Sequence, residues 1–187
     1  MKNTSEASKP EVIHHSRLDG WRKFRSQSHS MQVDTILCWM KWDAMELNPD
    51  YQRDYVWTEK EQDEFLSTLM SGYPVGAIAV SEDKTSLSKD TKWIEIVDGK
   101  QRITTLCMVF NNEVPLPLPD GSKVFWDDLT IVEQRRFRSM PMTMISMNGT
   151  TRAERLEFFY RVNFTGVPQS ELHMYKVKNL IKLESEK

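Results

Sequence analysis

A β-branched apolar run, WIEIV at 93–97, passes through Asp98-Gly99 and enters an apolar run from Gln101 to Phe110. Asp-Gly is the strongest two-residue turn signal in the chain. The junction therefore reads as strand, tight turn and helix within eighteen residues. It requires both kinds of element in one unit. It also carries Asp98, Lys100, Gln101 and Arg102, more polar chemistry than a turn needs.

The flanking segments extend the pattern. Val33, Ile36, Leu37 and Met40 share one helical face, predicting a helix over 33–41. Thr58 and Glu61 form a capping box ahead of Phe65, Leu66, Leu69 and Met70, with Gly72 as the stop. VGAIAV (75–80) reads as a buried strand and residues 81–92 as a polar loop. Pro-Asp-Gly turns a small hairpin within 114–126. A basic helix spans 129–139, and PMTMISM (141–147) alternates as a strand. Thr151 and Glu154 open a helix to about Val162, residues 163–170 form a loop, and a last amphipathic helix covers about 170–184. Strands and helices mix without a regular βαβ cadence. The expected class is α+β, a compact mixed sheet with packed helices.

Charge separates the N-terminus from the rest. Residues 1–30 hold six Lys/Arg and three Asp/Glu, a net of +3, within a chain of formal charge -2. They read as a flexible basic tail, with residues 31–187 as a single domain. WRKFR (21–25) could stack on bases and pair with phosphates, so contact with DNA would be local. Cys38 and Cys107 have neither metal spacing nor a disulfide framework and read as free thiols in a reducing compartment. No apolar run reaches the roughly 18 residues of a membrane span, and MKNTSEASKPEVIHH has no apolar signal region.

Three segments concentrate polar groups at element boundaries: YQR (51–53), DGKQR (98–102) and YRVNFTG (160–166). The first N–H groups of a helix lack intrahelical partners and favour an anion. Arg102 in the first turn opposes the helix dipole unless an anion sits beside it. As a phosphate site, Arg102 would grip oxygen bidentately, Asp98 would bind Mg²⁺ or orient water, and Gln101 would position a water or a base edge. The other reading has Asp98 cap the helix and Arg102 pair with a neighbouring carboxylate. In an extended YQR, Tyr51 and Arg53 share one side and Gln52 the other. Arg161 and Asn163 close a helix, and Gly166 permits a positive φ.

In order and spacing, NPDYQRDYVWTEKEQ, IVDGKQRITTL and FFYRVNFTGVPQS resemble the N-terminal domain of GmrSD-type restriction endonucleases. That family's pattern joins Pro-x-Tyr-Gln-Arg-x-Tyr-x-Trp, Asp-Gly-Gln-Gln-Arg and Phe-x-x-Leu/Val-Asn-x-x-Gly. The resemblance covers about residues 33 to 180. It implies a ParB/sulfiredoxin-like α+β fold and a site that binds, and in the family hydrolyses, a nucleoside triphosphate with Mg²⁺. It further implies a restriction-modification role in phage defence, in the cytoplasm or the host cytoplasm of a virus, with a nuclease subunit as partner. Carried over by residue, the catalytic positions are Asp98, Gln101 and Arg102, with Asp98 at the metal. The cofactor-binding positions are Tyr51, Arg53, Gly99, Lys100, Arg161 and Asn163. Lys100 departs from the family's first glutamine. The histidines (His14, His15, His29 and His173) do not make an HNH site, so the DNA-cutting half is expected to be absent. Two alternatives stay open: a ParB-like DNA-binding or nuclease-like module, and a non-enzymatic protein that engages a restriction complex.

Overall fold

The computed structural model describes residues 25–82, 92–164 and 171–186. Most of WRKFR and Gly166 lie outside them. Five strands form one mixed sheet: β1 (Gln27–Gln32), β2 (Met45–Glu46), β3 (Ala77–Glu82), β4 (Ile94–Asp98) and, late in the chain, β7 (Pro141–Asn148). Their order is β1-β7-β3-β4-β2. β7 runs parallel to β3, and β2 parallel to β4, whereas the β1–β7 and β3–β4 pairs are antiparallel. A separate two-stranded hairpin joins β5 (Leu116–Pro117) to β6 (Lys123–Val124). The expected α+β class is the one observed.

Side-chain alternation explains the layering. Along β3, Ile78 and Val80 face one side and Ala79 the other; along β4, Ile94 and Ile96 oppose Val97. The first face carries the larger core. There the sheet meets α1 (Val33–Lys41) through Ile36 and Trp39, α2 (Glu59–Met70) through Phe65 and Leu66, and α3 (Lys100–Phe110) through Ile103 and Leu106. Phe137 of α4 (Ile131–Arg138) closes this layer in a ring cluster with Phe110 and Trp126. The second face is covered by α5 (Arg152–Phe164) and α6 (Glu171–Ser185), through Leu156, Phe159, Phe164 and Val177. Both sides of the central strands are buried, so they read as near-continuous apolar runs. Among the described residues no helix is long and apolar enough to cross a membrane.

One expectation about the N-terminus needs correction. Residues 27–30, read as tail, belong to β1, which pairs with β7 from Gln27↔Ser146 to Gln32↔Pro141. Only Met31 of this edge strand is buried. Backbone pairing holds it, and that leaves no apolar alternation to read.

The site forms where β4 ends. Because β3 runs antiparallel beside it, the start of β3 lies next to Asp98, with Ala79 paired to Asp98. The first turn of α3 follows at once.

Candidate functional site

Gly99 makes the turn from β4 into α3 with φ of 95°, a left-handed conformation that glycine adopts without a Cβ penalty. A Cβ there would also come within 2.7 Å of Ile78 Cγ2. The first intrahelical bond runs from Ile103 N–H to Gly99 carbonyl. The N–H groups of Lys100, Gln101 and Arg102 precede it and have no acceptor within the helix. Neither a capping side chain nor an acid in the first turn compensates them.

Around this helix start lies a cavity of about 300 Å³. It gathers Arg53, Asp98, Gly99, Lys100, Gln101, Arg102 and Asn163, all anticipated, from three separate segments. Gln52, Trp57, Phe159 and Val162 complete its wall. Three cations thus face one carboxylate.

The polar groups differ in how far the protein itself uses them. Arg102 is the most committed. Its Nη1 donates to Val75 carbonyl (2.8 Å), and its Nη2 donates to Ala77 carbonyl (3.0 Å) and to Asp98 Oδ2 (3.2 Å). The guanidinium lies against Gly76, where a Cβ would be 2.6 Å from Nη1. Burial lowers its pKa, and Asp98 counters the shift. Arg102 therefore ties α3 to the start of β3, as in the carboxylate-pairing reading, and its phosphate-gripping role gives way to a structural one. Asn163 Nδ2 also approaches Asp98 Oδ1, at 3.4 Å, so both carboxylate oxygens are engaged.

Gln101 was expected to orient a water. Instead its Oε1 accepts from Val56 N–H (2.9 Å) and its Nε2 donates to Asp54 carbonyl (3.0 Å). The amide acts as a backbone partner for the segment 54–56. Lys100 is almost fully buried, and its Nζ donates to Arg53 carbonyl at 2.7 Å. Loss of water lowers its pKa, with Asp54 and Glu46 opposing. Arg53 differs from all of these: it is exposed, and its guanidinium has no hydrogen bond or ion pair among the described residues.

Two candidates fall outside the cavity. Tyr51 is completely buried, donates its hydroxyl to Glu95 Oε1 at 2.5 Å and packs edge-on against Phe159 at 5.2 Å. Burial first, then the Glu95 charge, pushes its phenol far above the ordinary range. It cannot stack on a ligand. The reason is local: Gln52 N–H bonds to Pro49 carbonyl, so a turn breaks the extended alternation. Tyr51 turns inward, Arg53 outward, and Gln52, expected to point away, enters the cavity wall. Its Nε2 donates to Ile96 and Val97 carbonyls at 2.5 and 2.9 Å. Arg161 is the second: it sits on the outer side of α5 and pairs with Glu157 one turn earlier, at 2.6 Å.

Trp57 and Phe159 were visible in the motif segments but carried no assigned role. Trp57 is braced by Phe65 at 5.5 Å and gives the cavity an aromatic side. As a metal site the cavity is sparse. Among the described residues no three His, Cys, Asp or Glu side chains converge. Asp98 is the one acid in the cavity wall, and both of its oxygens are already engaged.

A family model described as the GmrSD restriction endonuclease, N-terminal domain, matches residues 41–181. That span contains every residue of the cavity wall. No curated protein and no solved structure matches the chain.

Proposed function

We propose, from the premise that the chain belongs to the GmrSD restriction endonuclease N-terminal domain family, that it is a nucleotide-binding module whose cavity takes the polyphosphate of a nucleoside triphosphate. One observation carries the reading: an uncapped helix start opens into a cavity beside Arg53, whose guanidinium makes no hydrogen bond or ion pair among the described residues. A polyphosphate would accept from the N–H groups of Lys100, Gln101 and Arg102 and pair with the exposed guanidinium of Arg53. It would also offset the desolvation of the Lys100 ammonium.

Hydrolysis needs a group that positions the attacking water. Gln101 is committed to the 54–56 backbone, and Asp98 to Arg102 and Asn163. We therefore read the chain as a module that binds nucleotide and turns it over slowly by itself. In a restriction system, the bound nucleotide would act as a signal to a DNA-cutting partner.

Calorimetric titration of each nucleoside triphosphate with Mg²⁺ tests this, alongside phosphate release. Wild type is expected to bind. Arg53→Ala should weaken binding roughly ten- to a hundredfold, the size of a charge-assisted contact, at an unchanged melting temperature. A wild-type protein that binds no triphosphate would refute the reading.

A further inference from the structure

Beside the first cavity lies a larger one, of about 820 Å³, between the 48–54 segment and α6. The two share Gln52, Arg53 and Lys100. The exposed Arg53 therefore stands between the two recesses, and the buried Lys100 ammonium is bonded to its carbonyl. The recesses differ in chemistry. The first has the open helix start and suits an anion. The second adds the Tyr175 ring, the amides of Asn48 and Asn179, and the Asp54 carboxylate.

Tyr175 is 61% exposed, so a large part of its ring is uncovered. The Asp54 carboxylate takes part in no hydrogen bond or ion pair among the described residues; only its backbone carbonyl is used, by Gln101. A nucleotide has two matching parts: a polyanion, and a nucleoside with an aromatic face and hydroxyl donors. The first cavity, of about 300 Å³, has less than half the volume of the second.

The geometry points to the larger recess as the nucleoside subsite, with the base stacked on Tyr175 and a ribose hydroxyl donating to Asp54, while the phosphates pass Arg53 into the first cavity. This assignment rests on the polyphosphate reading above. Its distinct content is that the protein recognises the nucleoside and not the phosphate chain alone.

The experiment compares inorganic tripolyphosphate with the four ribonucleoside triphosphates by titration calorimetry, on wild type, Tyr175→Ala and Asp54→Asn. Tyr175 lies on the surface, so its loss leaves the core intact. At least one nucleoside triphosphate should bind roughly tenfold tighter than tripolyphosphate, the scale of one base–aromatic stack. Tyr175→Ala should erase that difference and leave tripolyphosphate binding unchanged. Asp54→Asn should narrow it. Equal wild-type affinity for tripolyphosphate and every nucleotide would overturn the subsite while leaving the anion site standing. So would a nucleotide preference that survives both substitutions. Failure of tripolyphosphate and nucleotides alike to bind would remove the anion site and the subsite together.

Discussion

Arg102 spends its guanidinium on the protein. Three bonds, to Val75 and Ala77 carbonyls and to Asp98, fix the first turn of α3 against the entry to β3. The side chain is only 16% exposed and that of Asp98 19%, so neither partner would be well solvated after truncation. Leaving a buried carboxylate and two carbonyls without their donor costs roughly 2–4 kcal/mol. Arg102→Ala should lower the unfolding free energy by about that amount in urea denaturation. Arg102→Lys should recover only part, because one ammonium cannot reproduce the planar fork. Unchanged stability with loss of nucleotide binding would instead return Arg102 to the ligand. Gln101 permits a sharper test. Gln101→Glu puts a carboxylate oxygen opposite Asp54 carbonyl, where an N–H now donates. A loss of about 1–3 kcal/mol should follow, whereas a Gln101 that served only a ligand would leave the melting curve unmoved. At this scale the sequence showed which residue types meet at the turn. It did not show their allegiance, because Val75, Ala77 and Asp54 enter through backbone atoms that any residue carries.

The start of α3 has no side-chain cap, nor does that of α1, whereas three other helices open on capping boxes. Glu61 accepts from Thr58 N–H at 2.7 Å ahead of α2, Glu133 from Thr130 N–H at 2.8 Å ahead of α4, and Glu154 from Thr151 N–H at 2.8 Å ahead of α5. Each box satisfies local donors without outside help. Hydrogen bonds to Thr58 and Thr130 hold the Glu61 and Glu133 carboxyls below their ordinary 4.5. A depressed folded-state pKa contributes stability that is fully present above the unfolded value and fades as pH falls through the folded one. Melting temperature should therefore begin to drop below about pH 4.5, by less in a Glu61→Gln, Glu133→Gln double variant. Equal acid sensitivity in both proteins would assign the loss to other carboxylates. The starts at Thr58 and Thr151 were readable because a capping box is a local code of four residues, whereas the Thr130–Glu133 box went unread within a segment marked only as a basic helix. The 33–41 helix was equally plain from its apolar spacing, and it spans Val33–Lys41. β1 was not, since Gln27–Gln32 owes its strand conformation to β7, more than a hundred residues later. At Asn48-Pro49 the sequence allowed either an extended or a turned backbone, and the turn decides the fates of Tyr51 and Arg53.

The molecule holds its candidate site from both faces of the sheet. The 50–56 segment crosses the ends of the layers and is gripped from each side. From the first face, Gln101 holds Asp54 and Val56, and Lys100 holds Arg53 carbonyl. From the second, His173 of α6 bonds Tyr51 carbonyl at 2.9 Å, and Arg152 of α5 binds both oxygens of Asp50 while reaching Glu184 of α6. Tyr51 itself joins Glu95 and Arg155 beneath them. The last helix thus does more than cover apolar surface, the only role its amphipathic pattern suggests. Deleting residues 171–187 would remove Val177, fully buried, and uncover Phe159 and Phe164. A fully buried side chain of this size is worth about 1.5–3 kcal/mol, so overall stability should fall by several such steps. The informative quantity is where protection disappears. Amide hydrogen exchange should accelerate through 50–56 and at the end of β4, while α1 and α2, on the opposite face, keep their relative order of protection. Triphosphate affinity should drop with it, because Arg53 would lose the brace that sets its position. If 50–56 kept its protection in the truncated protein, the α3 contacts alone would suffice to hold the segment. The second layer would then be a cover for the sheet and no part of the site.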